Sequence, residues 1–188
     1  MAEKKSYGIL NIAAILIVAM FFSCGNDIKE VQDFLAEKNL PIGAATNVHL
    51  IHTDSGMVKT ILTAPLMHDF SNREDHPYTL FQEGVRIVTF DKKGDSVILT
   101  AGYSITFSKT NISEVKDSVS VINPADQTKL FTDQLFWDSN EHYIYTEKKF
   151  TLITKSDTIY GQGFESNEDL SQVNMKSIKG SVYVNETP

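Results

Sequence analysis

From Ser96 to Phe107 the chain alternates. Val97, Leu99, Ala101, Tyr103, Ile105 and Phe107 stand against Ile98, Thr100, Gly102, Ser104 and Thr106. Side chains on a strand point to opposite faces with period two, so this pattern predicts a strand with one apolar face. A turn-forming run, Asp91 to Asp95, precedes it. The same arrangement of turn and alternating strand occurs after Asp54-Ser55-Gly56, after Asn123 to Asp126, and after Lys155-Ser156-Asp157.

Superimposed on the pivots Thr63, Thr100, Thr132 and Gly161, the four copies share two apolar columns. Two places before the pivot stand Ile61, Ile98, Leu130 and Ile159. Three places after it stand Leu66, Tyr103, Leu135 and Phe164. On a flat strand an odd separation sends two residues to opposite faces. One extra residue in a β-bulge returns them to the same face. Three of the four copies carry Pro or Gly just after the pivot (Pro65, Gly102 and Gly163), as a bulge or bend accepts. Each copy therefore reads as a bent β-unit. The alternative register is a straight strand with Leu62, Leu99, Phe131 and Tyr160 inward, which would set Asp133 and Gln162 on the apolar face.

The rest of the chain from Thr46 onward is rich in Thr, Val, Ile, Tyr and Phe, with turn residues between the runs, and reads as strand. Strands are predicted near 48–53, 58–67, 78–81, 85–90, 97–107, 114–122, 130–137, 142–154, 158–164, 173–178 and 180–184. A bent two-strand unit cannot bury its own apolar face, and stacking such units makes one continuous apolar interior. The expected fold is all-β: an open, V-shaped sheet whose interior is a trough. Ile61, Leu66, Ile98, Tyr103, Ile105, Leu130, Leu135, Trp137, Ile159 and Phe164 are its candidate lining. On this reading Tyr103 faces the trough and Thr106 faces away.

The first residues follow another logic. Lys4 and Lys5 precede an apolar run from Ile9 to Phe22, and Ser23-Cys24 closes it. This is the layout of a secretory signal. Fourteen helical residues rise about 21 Å, short of a hydrocarbon core of about 30 Å. The alternative is an uncleaved transmembrane anchor lengthened through Tyr7 and Gly8. Cys24 is the only cysteine, so no internal disulfide forms. Its position resembles the lipidated cysteine of bacterial lipoproteins. The chain thus divides into a signal (1–23), a tether (24–45) with at most one marginal helix around Val31 to Leu35, and a β-domain (46–186).

Charge and motifs narrow the function. The net charge is −7, with 24 acidic residues against 17 basic ones, and cleavage before Cys24 removes Glu3, Lys4 and Lys5, leaving −8. An acidic chain without a basic stripe argues against nucleic acid. The five histidines have no metal-ligand spacing: His49 and His52 lie three apart on a predicted strand and face opposite ways. Gly161-Gln162-Gly163 lacks the third glycine and the following helix of a nucleotide loop. No cofactor, metal or catalytic residue is expected.

Signal, lipidatable cysteine, tether and bent repeats together resemble the LptC family, from the signal to Val184. The most specific part is Leu130 to Val184. Residues 130–153, LFTDQLFWDSNEHYIYTEKKFTLI, are similar to the family's strand, acidic turn and returning strand. TIYGQGFESNEDL and the later IKGSVYV look like its Gly-x-Gly-Phe segment and last strand. The resemblance implies a V-shaped β-jellyroll, open along one side, with lipid A chains in the groove. It implies a periplasmic carrier that accepts lipopolysaccharide from an inner-membrane ABC transporter and passes it to a soluble bridge protein of the same fold. The expected partner edges are the first strand for the transporter and the last, Gly180, Val182 and Val184, for the bridge. Most described members carry an N-terminal transmembrane helix, and the short apolar run ending in Ser23-Cys24 departs from that.

Two rival readings are a structural or adhesion lipoprotein that binds only protein, and a hydrolase of envelope glycans. The second needs clustered carboxylates in the trough, where the repeat columns show aliphatics. If Cys24 carries the lipid, Cys24→Ala is expected to accumulate unprocessed precursor and to lose labelling by a fatty-acid analogue. Equal labelling of both proteins would rule the lipid anchor out.

Overall fold

Among the described residues, strand formers and turn residues build a single 11-stranded antiparallel sheet. A computed structural model describes residues 39–91 and 93–179. The signal, Cys24, the expected helix around Val31 to Leu35, and Gly180, Val182 and Val184 lie outside the described residues. The strands are β1 (Gly43–Asp54), β2 (Met57–Phe70), β3 (Tyr78–Phe81), β4 (Val85–Phe90), β5 (Ser96–Ala101) and β6 (Tyr103–Phe107). They continue as β7 (Ile112–Asn123), β8 (Thr128–Asp138), β9 (Tyr143–Ile153), β10 (Thr158–Asn167) and β11 (Val173–Lys179). β1 starts at Gly43, ahead of the Thr46 boundary read from the sequence. Short polar side chains set the turns. Asp91 accepts the N–H groups of Lys93 and Asp95 at 2.8 and 2.9 Å, and Asp138 accepts those of Asn140 and Glu141.

β1, β2 and β7 to β11 are long. Between β2 and β7 the short strands lie end to end. β2 pairs β4 through Thr60–Thr63 and β3 through His68–Phe70. β7 pairs β5 through Ser120–Ile122 and β6 through Ile112–Lys116. The sheet is creased across its middle at this junction. One leaf holds β4 and β5, the other holds β3 and β6, and the long strands run through both.

The crease is a row of bulges. Register shifts fall between Lys116 and Val119 in β7, between Thr132 and Phe136 in β8, and between Gln162 and Phe164 in β10. Gly102 separates β5 from β6 and donates its N–H to the Asp117 carbonyl at 2.8 Å. A bulge takes backbone groups out of the ladder, and buried ones need other partners. Two buried threonines supply them. Thr132 donates its hydroxyl to the carbonyls of Gln134 and Lys149, and Thr146 accepts the N–H of Lys148.

Folding at the crease turns the inner faces of the leaves toward each other. Val121, Leu130 and Leu152 from one leaf and Val115, Leu135 and Ile144 from the other share one core. Phe150 and Phe164 meet with ring centroids 5.2 Å apart.

The bend is present, but its phase differs from the sequence reading in two copies. Ala64, Met67, Leu62, Leu99 and Ala101 belong to the core or pack on it, whereas Ile61 and Ile98 pair with Val88 on the opposite face. The pivots of the first two copies are thus Ala64 and Ala101, each one residue later than Thr63 and Thr100. With that shift the pivot column is small throughout: Ala64, Ala101, Thr132 and Gly161. Close approach at the crease explains it. A Cβ on Gly161 would lie 2.5 Å from the Ser177 carbonyl oxygen and 2.6 Å from the Phe150 ring.

Gly163 sits in the β10 bulge at φ +79°, and a Cβ there would lie 2.9 to 3.1 Å from the Lys176 side chain. Gly163→Val is expected to cost about 1–3 kcal/mol, because a β-branched residue is strained at positive φ. A calorimetric melting temperature equal to wild type would show that the bulge does not need the glycine.

Candidate lipid-binding cleft

The cleft between the leaves is where apolar side chains gather. Of the ten residues proposed as trough lining, Leu130, Leu135 and Phe164 are fully buried in it, and Trp137 and Ile159 pack at its margin. The other five are elsewhere. Ile61 and Ile98 face outward. Leu66 is absent from the shared core, where its neighbour Met67 takes the inward place. Tyr103 and Ile105 lie on the outer face, because Gly102 breaks the alternation: Val97, Leu99 and Ala101 point inward before it, and Ser104 and Thr106 after it. The expected orientations of Tyr103 and Thr106 are therefore reversed. Thr106 stands in the inner row with Ser113, Trp137 and Ile144, its hydroxyl 2.8 Å from that of Ser113.

The repeat columns passed over the returning strands. Val115, Val119 and Val121 of β7 and Ile144, Phe150 and Leu152 of β9 are core residues. Their signal is alternation within each half of the strand, with a polar break between the halves at Asp117-Ser118 and at Glu147 to Lys149.

Outward-facing aromatics have separate roles. Phe70 stacks on Tyr78 with centroids 4.6 Å apart, and Arg73 lies over Phe70. Lys116 approaches the Tyr103 ring at 5.9 Å. Burial lifts the Tyr103 hydroxyl above its ordinary value, and the Lys116 charge opposes that shift. Phe131 and Tyr160 are 39 and 54 % exposed, and with Asp133, Lys149 and Gln162 they border an outer groove of about 740 Å³. The edge strand β11 is clipped by Lys176, which bridges Glu147 and Glu165. Hydrogen bonds from Lys176 and Tyr143 hold the Glu165 carboxyl below its usual range. The Glu165 arm of the clip is therefore intact at neutral pH and is lost as the pH falls through that lowered value.

In this structure the cleft is nearly filled. A cavity of about 20 Å³ remains between Ile87, Val97, Leu99, Val121, Trp137 and Ile144. Above it, at the margin away from the crease, lies a polar vestibule of about 390 Å³ between the β4–β5 turn, Asn123 to Asp126, and the loop between β10 and β11. The path runs from polar to apolar within a few residues, with Thr89, Val97 and Glu168 bordering both spaces. Among the described residues no three His, Cys, Asp or Glu side chains are grouped to hold a metal. No helix among them is long and apolar enough to cross a membrane.

The family resemblance implies an all-β, V-shaped jellyroll with an apolar groove between its faces. Over residues 12–183 the chain matches the family described as lipopolysaccharide-assembly, LptC-related. The chain belongs to the LptC family. No curated protein matches it. LptC membership carries a role in lipopolysaccharide transport at the periplasmic side of the inner membrane, in a family of transport and bridge proteins. The all-β, jellyroll-like architecture agrees with it.

The two faces of β10 make the division of labour measurable. Phe164→Ala is expected to destabilise by about 3–5 kcal/mol, the cost of deleting a buried ring and leaving a cavity. Tyr160→Ala on the outer face is expected to change stability by about 0.5 kcal/mol or less. Urea midpoints for the pair check the assignment, and similar losses at both would contradict it.

Proposed function

We propose that this LptC-family chain is a membrane-anchored periplasmic carrier that accepts lipopolysaccharide from the inner-membrane ABC transporter and passes it to a bridge protein of the same fold. Acyl chains travel between the leaves. The observation that carries this reading is the inner face, whose one connected apolar cluster reaches from Val48 on β1 to Met175 on β11. Each CH₂ shielded from water is worth about 0.8 kcal/mol, so a chain passed along such a face stays protected. An apolar cleft with no guest collapses in water, and the packed interior is the guest-free form. ATP hydrolysis by the transporter drives the flux, and this chain needs no catalytic residue. Cys24 is the proposed lipid anchor.

At both ends of the described sheet the edge strand has one neighbour. Among the described residues β1 pairs only with β2, and β11 only with β10. Exposed backbone edges recruit partner strands. The β1 edge, with Leu50 and Ile51 exposed, is assigned to the transporter, and β11 with the following Gly180, Val182 and Val184 to the bridge. Binding rests on the acyl chains, since an acidic protein does not attract an anionic head group.

The packed interior also favours a second reading, a β-domain that stays sealed and binds only protein. A photo-crosslinking residue separates the two. In cells with an active transporter, one at Thr106, on the inner row, is expected to capture lipopolysaccharide, and one at Ile105, on the outer face, is not. Equal capture at both positions, or none at either in a folded protein, would overturn the carrier reading.

A further inference from the structure

The loop between β10 and β11 begins and ends in one leaf, yet it is fastened to the other. Asn167 and Val173 bound it, both paired within the leaf that holds β3 and β6. From there the loop reaches across the margin of the cleft. Asn123, at the tip of the opposite leaf, donates its side-chain N–H to the Asp169 carbonyl at 2.8 Å. Asn123 is buried, and its amide oxygen accepts the N–H groups of Ala125 and Asp126, so its orientation is set.

Leu170 follows directly. Its side chain is 5 % exposed and belongs to the shared core, and its backbone sits at φ +63°. A leucine in the left-handed region is strained and persists only where its surroundings over-determine it. Glu168 ties down the near side. It accepts from the Trp137 indole N–H at 3.1 Å and meets His142 Nδ1 at 3.0 Å. Glu168 also borders both the inner cavity and the vestibule, so the loop stands on the boundary between them.

We propose that residues 168–172 form a strap that latches the two leaves across the mouth of the cleft, and that an acyl chain enters and leaves there when Leu170 withdraws. This rests on the carrier reading and adds the route and its gate. Withdrawal exchanges one buried leucine for the first methylenes of the incoming chain and relieves the backbone strain at Leu170. The apolar surface uncovered is thereby re-covered, so the latch is stable without a guest and displaceable by one.

Two variants release the strap by different means. Leu170→Gly removes the plug and leaves a residue that adopts φ +63° freely. Asn123→Asp keeps the acceptor that orders its own turn but loses the donors toward the Asp169 carbonyl and the Asp126 carboxylate. In the full chain, both are expected to speed amide exchange over residues 168–172. Both are also expected to raise the rate of uptake of a pyrene-labelled dodecanoic acid about fivefold to tenfold, the scale of one lost tether. Faster exchange with unchanged uptake would show that the chain does not pass the strap, and unchanged exchange would show that these contacts do not hold it. Either result overturns the strap alone, provided that wild type takes up the probe and Thr106 captures lipopolysaccharide. Failure of both of these, in wild type and variants alike, overturns the carrier reading and the strap with it.

Discussion

Everything in this fold depends on two halves of one sheet covering each other. Neither leaf can stand alone, because each presents an apolar face that only the other leaf covers. The cover is possible because the strands bulge at matching places. The bulges bring inward residues on both sides of the crease to a common interior, and small pivot residues let the leaves approach. Thr132 and Thr146 then satisfy backbone groups at the crease, close to the rings of Phe150 and Phe164.

The strands were legible because their residues are strongly typed. Most described strands match a run rich in β-branched or aromatic residues, bounded by turn residues; β11, with only Val173 and Ile178, is the weakest. The bend was legible from an odd spacing between apolar columns. Its phase was legible only in the last two copies, where Asp133 and Gln162 exclude the alternative. In the first two, Ile61-Leu62 and Ile98-Leu99 offer an apolar residue to either face, so pattern alone gives no preference. There the structure is decided by the size of the pivot, which hydrophobicity does not report. Tyr103 and Ile105 were misplaced for a related reason. Their alternation with Val97 and Leu99 is perfect in sequence, and the break at Gly102 reverses the face without disturbing the pattern.

The cleft offers shape and apolar surface. Shifted groups such as Glu165 and Lys176 sit on the outer face and fasten an edge strand. The strap, by contrast, left almost no mark in the sequence. Its loop is polar and acidic like the other turns, and Leu170 is a single apolar residue among them. Only the pairing of a buried side chain with a left-handed backbone distinguishes it.

The two edges that are unpaired among the described residues have a further consequence. They lie at opposite ends of one sheet and are different surfaces, so β1 of one molecule meeting β11 of another is a head-to-tail contact. Such contacts do not close into a dimer. They propagate into open rows unless a rotation brings them back on themselves. The two described edges are unlike surfaces, so a strand added at one leaves the other as it was. With a net charge of −7, like molecules repel while the edge remains available to others.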